Sequence, residues 1–313
     1  MKKEPLLSIR NYGVSFTRYE AGLKSRNLQV ISSLDIDVHE GEIVAIVGSS
    51  GSGKSLLADG IFGILPYNAV LSGEIYYDGK LLTQQDKEAL RGREMSLIPQ
   101  SVNYLDPLKK VGKQVELSVR DKDKKKRRKV VEDLFARYNL SPEVYDYHPF
   151  QLSGGMARRV LLTTALAAGS RLIVADEPTP GLDEVALKEV LKDFRVLMDS
   201  GCSILMITHD INAAVTIADR VAIFYAGMTL EIASSEDFRG DGQALRHPYS
   251  KALHAAIPAN GFRATPGFQP YSDNLPEGCV FCDRCDRKTE RCLKERPEFR
   301  ELRGGKVRCH HAT

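Results

Sequence analysis

An α/β fold carrying a short cysteine-rich appendage is what the sequence predicts, and three stretches predict it. In "EIVAIVGSSGSGKSLLADGIFGIL" an apolar strand runs through a set of glycines into a helical pattern; in "SRLIVADEPTPGLDE" a second apolar strand ends in two carboxylates. The third, "GCVFCDRCDRKTERC", gathers four cysteines near the end of the chain, with a fifth, Cys309, following in "VRCHHA". Short apolar runs that stop at turn signals and hand over to helical periodicity read as buried strands of a sheet covered by helices.

At 313 residues the chain can hold one large domain plus an appendage, or two modest domains. Its 42% apolar and 27% charged composition is that of a globular protein, and a net charge of only +3 gives no reason to expect a nucleic-acid partner. "MKKEPLLSIRNYG" is too short in apolar residues for a signal-peptide core, and no run approaches the roughly 18 to 20 apolar residues that span a bilayer. A cytosolic setting is expected, where clustered cysteines serve as metal ligands or catalytic thiols more often than as disulfides. Cys202, alone in the apolar "SGCSILMITHD", reads as core.

The first stretch fits G-x-x-x-x-G-K-S/T in its required strand, loop, helix context. Its glycines let several backbone N–H groups face one anion, and the start of the helix adds partial positive charge. Lys54 would reach the β and γ phosphates of a nucleotide and the Ser55 hydroxyl would bind Mg²⁺. The nucleotide-binding set is Gly48, Ser49, Gly51, Ser52, Gly53, Lys54, Ser55 and Leu56. The bland alternative is a glycine-rich turn without a ligand.

In the second stretch, the strand at 172–175 delivers Asp176 and Glu177 to the carboxyl end of a sheet, where open α/β folds bind ligands. There Asp176 could hold Mg²⁺, and Glu177 could orient and deprotonate an attacking water. A solvated acidic loop is the alternative. In "QLSGGMARRVLLTTALAAG", Ser153, Gly154 and Gly155 precede a helical pattern; alone they read as an N-cap with close-packing glycines.

Taken together, and in this order, these three motifs closely resemble those of ATP-binding cassette (ABC) ATPases, the Ser-Gly-Gly standing where that family has its signature loop. The resemblance covers nearly the whole chain. It implies a P-loop NTPase cassette with a mixed sheet core, an antiparallel β subdomain and a helical subdomain. The cassette would fill residues 1–240, the helical subdomain about 101–168, and a small cysteine-rich extension 241–313. Gln100 in "MSLIPQS" resembles the glutamine that senses the γ-phosphate and Mg²⁺, and Asp183 in "PGLD" the loop aspartate that links two active sites. His209 in "LMITHD" resembles the switch histidine, and Phe16 in "GVSFTR" the aromatic residue that stacks on adenine, with Tyr12 and Tyr19 close by. Catalysis would rest on Glu177, His209 and Gln100, and Mg²⁺ on Ser55, Gln100 and Asp176. Two departures stand out: Met156 replaces the usual Gln after the signature, and Pro-Gly precedes Asp183 in place of Ser-Ala or Thr-Ala. The methionine resembles variants in dipeptide and nickel importers.

In this family the signature loop caps the nucleotide of the opposite subunit, so an active unit needs two cassettes. This chain carries one set of motifs, and the resemblance implies a second ATPase subunit, a heterodimer rather than a homodimer. "SVNYLDPLKKVGKQV" lies where the family's contacts with its membrane subunits gather. The basic run at 120–130, "RDKDKKKRRKV", reads as a solvated face or a contact for anionic headgroups.

In the tail, "ALRHPYSKALHAAIP" resembles the start of the extension found in ATPases of peptide and nickel importers. Cys279, Cys285, Cys292 and Cys309 follow as C-x5-C, C-x6-C and C-x16-C, in the order of that extension. Four thiolates so spaced can close a Zn²⁺ site or hold an iron–sulfur cluster, and the resemblance implies a 4Fe–4S cluster in some members. Cys282 stands where a histidine is usual. Because "GFRATPGFQPYSDNLPEGC" offers little apolar core, bound metal would supply the tail's folding energy.

The expected function is the ATP-hydrolysing subunit of an importer of di- or oligopeptides or of nickel and its chelates. It would sit at the cytoplasmic face of the membrane with two permease subunits and, indirectly, an extracellular binding protein. The alternatives are a cassette ATPase of DNA repair or translation, which usually carries a long coiled coil or two cassettes, and a regulatory ATPase with a metal- or redox-sensing tail.

Overall fold

The computed structural model describes residues 4–19, 25–49, 51–179, 184–199 and 201–312. The chain divides into two compact units, Met1–Leu82 with Thr208–Thr313, and Thr83–Ile207. The first opens with β1 (Leu7–Tyr19), β2 (Ser25–Val38), β3 (Ile43–Val47), α1 (Lys54–Phe62), β4 (Ala69–Tyr77) and β5 (Lys80–Leu81). The second holds α2 (Gln84–Leu90), β6 (Met95–Ile98), α3 (Val111–Ser118), α4 (Lys124–Arg137), α5 (Gly154–Ala167), β7 (Leu172–Asp176), α6 (Glu184–Asp199) and β8 (Ser203–Thr208). The chain then returns to the first unit as α7 (Ile211–Ile217), β9 (Arg220–Tyr225), β10 (Met228–Ser234), α8 (Pro248–Ala255), α9 (Glu290–Lys294), β11 (Arg300–Leu302) and β12 (Gly305–Val307).

In the first unit the strands run β5-β4-β1-β2-β10-β9-β3. The β5, β4, β1 and β2 pairings are antiparallel, whereas β3 lies parallel to β9, so the mixed sheet and its antiparallel part are both present. β3, IVAIV, is buried throughout, which is why it reads as an unbroken apolar run rather than an alternating one. α1 packs close to β1: the Tyr12 hydroxyl donates to the Leu56 carbonyl, and a Cβ on Gly60 would sit 1.7 Å from that hydroxyl. Only glycine fits there.

The tail is more deeply built into this unit than its loop-rich sequence suggests. β12 pairs antiparallel with β10, so the chain end adds a strand to the sheet. Arg246, almost fully buried, ion-pairs with Glu231 of β10 at 3.2 Å and with Asp237 at 2.9 Å, and donates to the Leu302 carbonyl. Glu231 also accepts from the backbone N–H groups of Arg246 and His247, so its buried charge is both paired and hydrogen-bonded. Tyr225, Tyr249 and Phe281 form an aromatic cluster with ring centroids 4.4 to 5.6 Å apart. The expectation of a tail short of apolar core overlooked these partners, which lie far away in sequence.

In the second unit β6, β7 and β8 are parallel neighbours, with β7 and β8 wholly buried. α3, α4 and α5 close a helical core around Val115, Val131, Phe135, Tyr145 and Val160, within the stretch expected to be helical. α4 starts earlier than its apolar pattern indicates and takes in most of the basic run. Cations at a helix N-terminus oppose the macrodipole. Asp123 offsets this by capping the Lys125 N–H at 2.8 Å, and Arg128–Glu132 and Lys129–Asp133 add pairs one turn apart.

Candidate nucleotide site and cysteine cavity

β3 ends at Val47 and the loop that follows is tightly wound. A Cβ on Gly48 would stand 2.6 Å from the Phe224 carbonyl oxygen, so the glycine permits the loop to pass against β9. Gly53, the N-cap of α1, has φ of 89° and contributes no side-chain cap, its carbonyl accepting from the Leu56 N–H at 3.1 Å. Lys54 is buried and its ammonium donates to the Gly48 and Ser49 carbonyls at 2.9 and 2.8 Å. The Ser52 hydroxyl donates to the same Ser49 carbonyl at 2.7 Å, making Ser49 the hub of the loop. Ser55 and Leu56 are half-buried at the start of α1. His209 of this unit is exposed between β8 and Asp210, which caps α7 by accepting from the Asn212 and Ala213 N–H groups.

In the second unit the candidate residues sit at the carboxyl ends of parallel strands. Ile98 pairs with Ala175 and Asp176 with Ile207, so Gln100, which is exposed, and the buried Asp176 and Glu177 emerge at the same sheet edge. Glu177 has φ of 48°, a left-handed conformation costly for a residue with a Cβ. Its N–H donates to the Ile207 carbonyl at 2.8 Å, and its carbonyl accepts from the Arg158 guanidinium at 3.0 Å. Arg158, on α5, was not singled out in the sequence; "GGMARRV" contains it, but nothing in that pattern connects it to Glu177.

Ser153 is the N-cap of α5, its hydroxyl accepting from the Met156 N–H at 3.3 Å. The glycines after it differ from the close-packing alternative: a Cβ on Gly154 or Gly155 would meet nothing within 4 Å. Their own fold does not require them. Of the aromatic candidates for adenine, Tyr12 is buried under α1, whereas Phe16 is half-exposed on β1 opposite Leu28. Asp183 lies outside the described residues, as does the side chain of Tyr19.

Cys279, Cys282, Cys285, Cys292 and Cys309 line one small cavity together with His247, His310 and His311. Burial pushes the Cys279 thiol up to about 12, with Cys309, Cys282 and Cys292 adding to the shift as neighbours. Burial likewise raises Cys309 and Cys285, whose neighbours include Cys292. Cys282, the most buried of the five, donates to the Asp283 carboxylate at 3.7 Å. Among the described residues no three His, Cys, Asp or Glu side chains are grouped closely enough for a single metal ion. Cys202 is buried elsewhere in the core, as expected.

A family model described as ABC transporter matches residues 31–180, and one described as the oligopeptide/dipeptide transporter C-terminal region matches residues 230–292. The oligopeptide transport ATP-binding protein AppD of Bacillus subtilis is 33% identical over 97% of this chain and 96% of its own. The chain belongs to the ABC transporter family, among its oligopeptide and dipeptide transport ATP-binding proteins. As a member it is an ATPase whose hydrolysis is coupled to transport. Two further relatives are the dipeptide transport ATP-binding proteins DppD of Bacillus subtilis, 35% identical over 94% of this chain and 90% of its own, and DppD of Escherichia coli, 30% identical over 98% and 96%. Among solved structures, the ATP-binding cassette MJ0796 in a dimeric post-hydrolysis state bound to ADP and phosphate superposes with a TM-score of 0.64 at 27% identity. That match covers 75% of this chain and 99% of MJ0796. No helix among the described residues is long and apolar enough to cross a membrane.

Proposed function

We propose that this ATPase powers a peptide importer, binding and hydrolysing ATP beneath two integral-membrane permease subunits that receive peptide from an extracellular binding protein. The observation that carries this is the pairing of an ABC cassette with the oligopeptide/dipeptide C-terminal region in one chain, together with relatives named for peptides along nearly its full length. Nickel transport finds no support in those names, and neither does a role in DNA repair or translation. The chain would work at the cytoplasmic face of the membrane.

In this reading Gly48, Ser49, Gly51, Ser52, Gly53, Lys54, Ser55 and Leu56 bind the phosphates of ATP, and Phe16 stacks on adenine. Ser55, Gln100 and Asp176 hold Mg²⁺, which when bound neutralises charge on the phosphates. Glu177 orients and deprotonates the attacking water, His209 contacts the γ-phosphate, and Asp183 links the two sites of a dimer. Ser153, Gly154 and Gly155 cap the nucleotide of a second ATPase subunit. The open space around both glycines favours this, because a phosphate from another chain can approach the α5 backbone closely there. Catalysis then rests on positioning and charge stabilisation. For the membrane partner, Tyr104, Leu108 and Leu117 are exposed apolar side chains, and Tyr104 and Leu117 line a groove of about 290 Å³ in the second unit.

Cys279, Cys285, Cys292 and Cys309 are the proposed ligands of an iron–sulfur cluster that clips the extension; a single Zn²⁺ ion, the expected alternative, does not fit described side chains of which no three are grouped closely enough for one ion. Their place around one cavity and their soft donor chemistry favour the cluster; the Cys279, Cys285 and Cys309 thiols, raised by burial, would give up their protons on binding. Isolation of the tagged chain from membranes tests the assignment as a whole: it is expected to bring two polytopic membrane proteins with it, and recovery with ribosomes or DNA instead would overturn it.

A further inference from the structure

The linker between α8 and the cysteines returns to the phosphate loop. The Ser49 hydroxyl donates to the Gln269 side-chain carbonyl at 2.9 Å, across 220 residues of sequence. A cavity of about 290 Å³ is walled on one side by Val30, Ser49, Gly51 and Ser52 and on another by the linker at residues 269–272. This linker is anchored. Arg284, immediately before Cys285, donates to the Thr265 and Pro266 carbonyls at 3.1 and 3.0 Å and to the Tyr225 hydroxyl at 3.3 Å. Its guanidinium also lies over the Tyr225 and Phe281 rings. The chain turns at Gly267, where φ is 81° and a Cβ would press on the Arg284 side chain at 3.2 Å. Tyr225 follows Phe224, the residue against which Gly48 packs, so loop and linker rest on the same end of β9.

Ser49 is the point at which the loop is held. Its carbonyl takes the Lys54 ammonium and the Ser52 hydroxyl, and its own hydroxyl is held by Gln269. A loop fixed before the phosphates arrive loses less conformational freedom on binding them. We propose that Gln269 is a positioning residue of the nucleotide site, holding Ser49 so that the linker to the cysteine-bearing extension raises the affinity of the phosphate loop. This rests on the reading that residues 48–55 bind ATP.

Gln269→Met keeps the length of the side chain and removes the acceptor, which isolates the hydrogen bond from packing. On the full chain, the Kd for MgATP and MgADP by equilibrium dialysis, with KM and kcat for ATP hydrolysis, is the measurement. Loss of one such bond predicts a rise of about 2- to 10-fold in Kd for both nucleotides and a matching rise in KM, with kcat unchanged. The effects of Gln269→Met and Ser49→Ala are expected not to add, since both delete the same bond. Wild-type affinity in Gln269→Met, or additive effects in the double variant, would overturn the proposal. Lys54→Ala separates the two readings: normal nucleotide binding there sinks the phosphate-loop assignment itself, whereas its loss beside a silent Gln269→Met sinks only the role of Gln269.

Discussion

The Arg158 guanidinium on α5 donates to the Glu177 backbone carbonyl at 3.0 Å. Glu177 sits just beyond β7 with φ of 48°; backbone in that region costs of order 1 to 3 kcal/mol and persists only where its surroundings enforce it. Arg158 and the bond to Ile207 enforce it, and with it the direction in which the carboxylate leaves the sheet. Because Ser153 caps α5, the helix proposed to meet a second subunit also holds the residue proposed as the base.

Arg158→Ala is accordingly expected to lower kcat for ATP hydrolysis about tenfold while leaving the Kd for ATP within about twofold, a split of the kind that marks misplaced chemistry. Steady-state ATPase assays and equilibrium binding on the same preparations check it. Arg158→Lys, which keeps the charge but not the planar fork, should fall between.

Glu177→Gln is expected to bind ATP, turn it over very slowly and accumulate as a closed dimer visible by gel filtration with MgATP. Turnover at the wild-type rate would remove Glu177 as the base.

Gly155→Ala separates fold from function at the signature loop. A Cβ there meets open space within the chain and alanine favours helix, so the melting temperature should not fall. ATP-driven association and hydrolysis should fall at least tenfold, as a methyl group intrudes where a phosphate is to approach the backbone.

His247 gives a pH signature. Burial alone depresses its imidazole to about 3, so between that value and about 6.5 the unfolded chain carries a proton that the folded one does not. Stability contributed by the neutral ring is therefore full above about 6.5 and falls as pH drops toward 3, by about 1.4 kcal/mol per unit at the steepest. The His247 Nδ1 accepts from the Tyr249 N–H at 2.9 Å. Asn at this position can keep that cap without titrating, so His247→Asn should flatten the acid limb in urea melts taken from pH 7 to pH 4.5.

Cys285→Ser or Cys292→Ser is expected to lose bound iron and to expose the linker to proteolysis. Elemental analysis of anaerobically purified wild type that finds no iron would contradict the cluster.

Much of the candidate site is legible in the sequence because its motifs are local. Glycines, Lys54 and Ser55 follow one strand within a few residues, and Asp176 and Glu177 end another, so strand and loop signals lie inside the motif. What was not legible depends on approach between distant segments. Arg158 reaches Glu177 across 19 positions, and Gln269 reaches Ser49 across 220. The tail misled for the same reason: Phe281 and Arg246 find partners on β9 and β10, so a segment poor in apolar residues is stabilised by surfaces made elsewhere. α4 extended into its basic run because Asp123 supplies a cap, a signal overshadowed by the charges around it.

The most direct test of the central claim is ATP hydrolysis by the complex isolated from membranes through this chain, measured with and without peptide-loaded binding protein. Two permease proteins in the preparation and hydrolysis that rises with the loaded binding protein are the predicted result. Recovery of the chain without membrane proteins, with hydrolysis indifferent to peptide, would contradict it.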